Sequence, residues 1–171
     1  MIKIRIEKPE DENQVRLINE QAFETSIEAD LVDALRSNCA NNLSIVAEEG
    51  SRLVGHILFS PAFIENSIDA IEGMGLAPMS VLPDHQRQGI GSALVQEGLD
   101  ILRQLNCSFV IVLGHPQFYP RFGFKPASQF NLSCQWVGVP DEAFMVIIMD
   151  EYKMKGTTGI ASYRDEFNAA M

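Results

Sequence analysis

Residues 81–94 read Val-Leu-Pro-Asp-His-Gln-Arg-Gln-Gly-Ile-Gly-Ser-Ala-Leu, and this stretch narrows what the chain can fold into more than any other. An apolar run, residues 75–81, precedes it, and an amphipathic segment, residues 90–105, follows. A continuous apolar run, Phe109 to Leu113, comes next. A strand, a glycine turn, a helix of this length and a strand buried on both faces imply a parallel strand pair joined by a right-handed crossover. The fold is therefore of α/β type. Gly89 and Gly91 let main-chain N–H groups approach a ligand without intervening side chains. The first turn of a helix leaves its N–H groups unpaired and carries partial positive charge. Together these make an anion site best suited to phosphate.

Two common phosphate loops are excluded. A Walker loop needs Gly-Lys-Ser or Gly-Lys-Thr, and neither is present. A dinucleotide fingerprint ends on glycine, where this chain has Leu94, and it opens a longer strand–helix series than this chain offers. What remains is Gln86-x-x-Gly89-x-Gly91 after a strand ending Val81-x-Pro83. It resembles the acetyl-CoA pyrophosphate loop of the GCN5-related N-acetyltransferases (GNAT), whose pattern is Gln/Arg-x-x-Gly-x-Gly/Ala. A second segment, Tyr119-x-x-Phe122-Gly123-Phe124, resembles the Tyr-x-x-x-Gly-Phe segment of the same family at the expected distance. The wording Leu113-Gly-His-Pro-x-Phe-Tyr-x-Arg-Phe-Gly-Phe, with residues 28–32 and 139–144, is similar to the YhbS-like branch.

The resemblance implies acetyl transfer from acetyl-CoA to an amine of a small molecule or peptide. It implies one mixed, mostly antiparallel sheet with helices on both faces, splayed between strands four and five. Gln86, Arg87, Gln88, Gly89, Ile90, Gly91 and Ser92 would hold the pyrophosphate, Met79 and Ser80 would lie beside the pantetheine arm, and the Val81 N–H would polarise the thioester carbonyl. Backbone donors suit that task because they need no reorganisation. Tyr119 is the candidate general acid for the departing thiolate, since a phenol of pKa ~10 is near a thiol. Glu72 is the first candidate for the base that deprotonates the amine; Glu28, His56 and ordered water are rivals. One departure is His115-Pro116-Gln117, where many members carry asparagine. The competing reading is a non-catalytic acyl-CoA-binding sensor or interaction module, which needs the same loop but no turnover.

Composition sets outer limits. A chain of 171 residues suits one domain spanning residues 1–171, its tail near 156–171 docked or partly mobile. A net charge of −10 argues against nucleic acid as partner; it weakly favours a cationic acceptor, with an acidic surface that serves solubility as the favoured reading. No apolar run approaches the ~20 residues that span a bilayer, and the N-terminus reads as a strand, so a cytoplasmic protein without membrane contact is expected. Three widely spaced cysteines read as reduced thiols. The three histidines lack ligand spacing, so no metal is expected. Whether the protein forms a homodimer is left open.

Elsewhere, Ile2, Ile4 and Ile6 alternate as a strand with one buried face. Pro9 and the acids after it open a helix with Val15, Leu17, Ile18 and Ala22 on its stripe. After a break at residues 24–26, a second helix buries Ile27, Leu31, Val32 and Leu35. Residues 43–48 and 52–63 form a hairpin around Glu49-Gly50-Ser51, with Gly55 marking a bend or close approach. A turn or short extension covers residues 65–70, and residues 71–81 form the fourth strand, in which Pro78 argues for distortion. In the helix of residues 90–105, Ile90, Ala93, Leu94, Ile101, Leu102 and Leu105 share a side, near which Gly98 allows close packing. A short helix between residues 115 and 122 stops at Gly123, and residues 144–149 form a last strong strand. The tail is weakly patterned, with Ile160, Tyr163 and Phe167 expected to dock.

Overall fold

The N-terminal isoleucines form a strand, and each apolar run named above forms another. A computed structural model describes residues 1–65 and 70–171; the turn expected over residues 65–70 falls largely outside them. The strands are β1 (Ile2–Ile6), β2 (Leu43–Glu49), β3 (Arg52–Glu65), β4 (Ile71–Val81), β5 (Phe109–Leu113), β6 (Lys125–Pro126), β7 (Leu132–Cys134), β8 (Phe144–Ile148) and β9 (Gly159–Ser162). The helices are α1 (Glu12–Phe23), α2 (Ile27–Asn38), α3 (Ile90–Gln104) and α4 (Glu151–Met154). Hydrogen-bonded neighbours run β1-β2-β3-β4-β5-β8-β6, with β9 joined to β3 and β7 to β9. The described registers are antiparallel except β4–β5 and β7–β9, so the sheet is mixed. No described helix is long and apolar enough to cross a membrane. Cys39, Cys107 and Cys134 are unpaired and half-buried.

The chain forms two compact units, one of Met1–Phe59, Ala77–Ile101 and Asp165–Met171, the other of Ser60–Leu76 and Leu102–Arg164. In the first, β1 does not bury the face its alternation predicts. Ile6 is 58% exposed, while Arg5 is drawn inward by Asp11 (2.7 Å) and Glu48 (3.1 Å). In α1, Leu17 is exposed and Asn19 is fully buried instead; in α2, Ile27 is exposed and Ala29 buried. Gly50 turns the β2–β3 hairpin at φ +64°. The register shifts between Ala47 and Glu48. Opposite this bulge lies Gly55, where a Cβ would stand 3.1 Å from Ile90 Cγ2, so helix and sheet approach closely.

The face of α3 is rotated from its expected phase. Ala93 is exposed, as is Leu105 just beyond the helix, while Ile90, Leu94, Val95, Leu99 and Leu102 are buried. The centre of that face is Gly98, which carries no apolar signal. A Cβ there would lie 2.2 Å from Cε2 of the fully buried Phe59, so the glycine is the slot for that ring.

In the second unit, β5 is buried along most of its length and pairs antiparallel with β8 over five rungs, Phe109↔Ile148 to Leu113↔Phe144. The tail supplies β9, which the sequence leaves unsignalled. It pairs with β3 at Phe63–Glu65 and with β7, and Gly159 sits at φ +134° where a Cβ would meet Glu65 O at 2.3 Å. Tyr163 and Phe167 are buried as expected; Ile160 is 49% exposed. Phe167 lies in a 3-10 turn, Asp165–Ala170, of the first unit.

Candidate active site

The predicted site residues fall into two groups. Met79 to Ser92 belong to the first unit, Glu72 and Tyr119 to the second.

In the first group the turn is built by side chains as much as by glycines. The strand is anchored where Leu82 N–H donates to Val54 O at 2.9 Å, and a 3-10 turn follows at Pro83–His85. Gln86 Nε2 donates to Val81 O (3.0 Å) and Gln88 Nε2 to Asp84 O (3.3 Å). Arg87 and Gly89 both take positive φ, +60° and +85°. Gln86, Arg87, Gln88 and Gly89 are exposed, and Gly91 and Ser92 half-buried. Ile90 departs from the rest, for its side chain is buried against Gly55, and only its N–H could face a ligand. The Ala93 N–H bonds to Gly89 O at 3.0 Å. The N–H groups of residues 90–92 therefore precede the helical ladder and sit at the positive end of a helix that is fifteen residues long.

Charge around this turn is partly neutralised from within. His85 Nδ1 is 2.7 Å from Asp84 Oδ1 and its Nε2 2.9 Å from Glu49 Oε2. Those two carboxylates raise the imidazole pKa above its ordinary value, and Arg52 lies 4.0 Å from Asp84.

Strand β4 departs from regular alternation. It is in register with β5 only from Met74↔Val110 to Leu76↔Val112, and the peptide Ala77–Pro78 just beyond is cis. The Leu76 carbonyl points to the β5 edge, where it accepts from Tyr163, whereas the Leu82 N–H points to β3. Even-numbered residues of one regular strand would face one edge. The alternation therefore does not run unbroken from Leu76 to Leu82. With the Leu82 N–H on the β3 edge, the backbone groups of Val81 lie opposite that edge, and Val81 O is bound there by Gln86. Ser80 is 3% exposed and its Oγ has no hydrogen-bond partner among the described residues, an orphaned polar atom in the segment assigned to the cofactor arm.

In the second unit, Tyr119 opens a 3-10 turn, Tyr119–Phe122, stopped by Gly123 at φ +102°. The ring is 7% exposed and meets Phe118 and Phe124 edge-on at 5.0 and 5.7 Å. Gly114 admits it, since a Cβ there would lie 2.5 Å from Tyr119 Cε2. Burial pushes its phenol up to about 12. That keeps the proton on, as an acid requires, and moves the group away from the close match with a thiol that an ordinary phenol would offer. Glu72 is exposed on β4, and Glu28 on α2 accepts from Thr25 Oγ1 at 3.2 Å.

His56 is not placed to act as base. It is fully buried, and burial pushes its imidazole down to about 3. Asn19 Nδ2 donates both to Val15 O (3.0 Å) and to His56 Nδ1 (3.2 Å), which leaves the ring proton on Nε2. That nitrogen donates to Ser44 Oγ at 2.9 Å; Ser44 in turn donates to Glu7, which Arg36 also binds. The chain of donors is complete without an acceptor substrate. Among the described residues no three His, Cys, Asp or Glu side chains gather as a metal site.

A mixed sheet with a short parallel β4–β5 pair, a fourth strand of broken alternation, and a glycine turn opening the crossover helix together define an acyl-CoA N-acyltransferase fold. The chain belongs to the acetyltransferase (GNAT) family, whose sequence model matches residues 12–124. It is 34% identical over 166 residues to the uncharacterized N-acetyltransferase YhbS of Escherichia coli K12, covering 96% of this chain and 98% of that protein. The crystal structure of E. coli YhbS in complex with CoA superposes with a TM-score of 0.89 at 33% identity, covering 98% of this chain and 92% of the other. A GNAT acetyltransferase of Brucella melitensis in complex with acetyl-CoA gives 0.79 at 34% identity, covering 98% of each chain.

Proposed function

We propose that this protein moves an acetyl group from acetyl-CoA to an amine of a small molecule or peptide by direct attack on the thioester. The observation that carries the reading is the exposed Gln86–Gly89 turn leading into the N-terminus of α3, whose first N–H groups lie ahead of the Ala93–Gly89 bond. The two relatives that hold CoA and acetyl-CoA support the same ligand. Ser80 Oγ, buried without a partner among the described residues, suits a polar group of the pantetheine arm.

In this reading the pyrophosphate is held by backbone N–H groups of residues 88–92 with Arg87 beside it, and Met79 and Ser80 flank the arm. The amine nitrogen attacks the thioester carbon, and the Val81 N–H, on the edge away from β3, stabilises the oxyanion. Before the attack Glu72, exposed to solvent, takes one proton from the ammonium. The C–S bond then breaks, Tyr119 protonates the leaving thiolate, and the second proton on the acylated nitrogen restores the phenol. The two units serve one acetyltransferase domain, as the family match running through both supports. A cytoplasmic setting, where acetyl-CoA is supplied, fits three unpaired thiols.

The test is thiol release from acetyl-CoA over a panel of amines and peptides, beside calorimetric binding of acetyl-CoA. Turnover with one acceptor class establishes the reaction. Tight binding with no turnover over a broad panel would instead support a non-catalytic acyl-CoA module, and no binding would reject both.

A further inference from the structure

Tyr163 occupies a place that no part of the proposed chemistry uses. In a parallel ladder with Leu76 opposite Val112, the group that bonds directly to the Leu76 carbonyl is the N–H one residue further on, that of Leu113. Both groups are bonded to a side chain. The Leu113 N–H donates to Tyr163 Oη at 3.2 Å, and the Tyr163 hydroxyl donates to Leu76 O at 3.1 Å, with Ile111 O further away at 3.5 Å. The rung thus contains an inserted hydroxyl, and it is the rung at which the register of β4 with β5 ends.

The ring is held there from several sides. It lies against Gly75, where a Cβ would overlap Tyr163 Cε1 at 2.5 Å. Trp136 stacks on it at 5.8 Å and 23°. Its own N–H donates to Gln135 Oε1 at 2.5 Å, and β9, which it follows, is registered on β3 at Phe63↔Ser162. Tyr163 is 4% exposed, and burial raises its phenol far above the ordinary value, so the hydroxyl remains a donor.

We propose that Tyr163 is a positioning residue whose hydroxyl ends the β4–β5 ladder at Leu76, and so releases the following residues of β4 to receive the pantetheine arm. The inference rests on the acetyl-CoA reading above.

The test uses Tyr163→Phe, which keeps the ring and its packing. Two ligands are titrated calorimetrically: acetyl-CoA, and adenosine 3′,5′-bisphosphate, which carries the nucleotide end of CoA without pantetheine. The expected result is a Kd for acetyl-CoA about tenfold weaker, with the bisphosphate within about twofold of wild type, and about tenfold faster exchange of the Leu113 amide. Equal weakening of both ligands, or no change in acetyl-CoA affinity and Leu113 exchange, overturns the proposal. Should the wild-type protein bind neither ligand, the acetyl-CoA reading falls, and Leu113 exchange alone decides whether the phenol holds this rung. A readout on the unsubstituted protein is independent of any variant. The Tyr163 hydroxyl proton is expected as a slowly exchanging resonance with an NOE to the Leu113 amide, and its absence counts against the wedge.

Discussion

Replacing Gly98 by alanine would ordinarily stabilise a helix interior, by about 1 kcal/mol. Here the sign is expected to reverse. The added Cβ would lie 2.2 and 2.4 Å from Cε2 and Cζ of Phe59, against ordinary carbon contacts of about 3.5–4.0 Å. The overlap exceeds 1 Å on a ring that is fully buried, so either the ring or α3 must move. Overpacking of this kind costs about 3 kcal/mol, the upper end of its usual range. Set against the propensity gain, Gly98→Ala should destabilise by about 2 kcal/mol. For a chain of this size that is a fall in Tm of about 4–8 °C, read by calorimetry or by circular dichroism at 222 nm, the standard helix wavelength. Gly89→Ala provides the contrast, since a Cβ there meets nothing within 4 Å but must adopt φ +85°. Its cost is about 1–2 kcal/mol of backbone strain, located in the turn itself, so acetyl-CoA affinity should fall with a smaller change in Tm. A Gly98→Ala protein as stable as wild type, or more so, would refute the close packing of α3 on Phe59.

Three further outcomes are expected. Tyr119→Phe should lower turnover with a true acceptor about a hundredfold while leaving the Kd for acetyl-CoA unchanged; unaltered turnover rejects the acid role. His85, its pKa raised by Glu49 and Asp84, keeps its charge and its stabilising pairs below 6.5 and loses them as pH rises through the raised value. Acetyl-CoA titrations should therefore weaken above 6.5 as two carboxylates lose their cation, and His85→Gln should flatten that part of the profile. Asp11, its carboxyl lowered by the Arg5 guanidinium and further by the Lys8 N–H, contributes stability that is present above 3.8 and lost as pH falls through its lowered value. Asp11→Asn should cost about 2 kcal/mol at neutral pH in denaturant unfolding, with the gap to wild type closing in acid.

The legibility of this chain followed from where each signal is stored. The bounds of β4 and β5 could be read directly because buried strands are contiguous apolar runs closed by a turn. The glycine turn before α3 was legible because Gly89's conformation is local to it. The face of α3 was misphased because its centre is Gly98, whose role lies in Phe59, far away in sequence. Strand β9 escaped because four residues around an exposed Ile160 carry no period, and its position is set by partners in β3 and β7. His56 stood only as a rival candidate base; the fold reveals the Asn19 N–H that occupies its Nδ1 lone pair. Gln86 was assigned to the ligand by its motif, while its side-chain amide is bound to Val81 O. Glu72 was one candidate base among several carboxylates because spacing along the chain does not encode which of them meet an acceptor.

Strand β9, Tyr163 and Phe167 have a consequence for synthesis on the ribosome. Residues 159–167 bridge β3 and β7, occupy the last β4–β5 rung, and bury an aromatic beside the first unit's α2. A nascent chain that has emerged only as far as α4 has every residue of the glycine turn before α3 but lacks all three of these closures. The N-terminal hairpin and helices can form early, since their contacts are local. The Leu76–Leu113 rung acquires its tyrosine only after residue 163 has emerged, so protection of the Leu113 amide should appear later than that of the N-terminal hairpin.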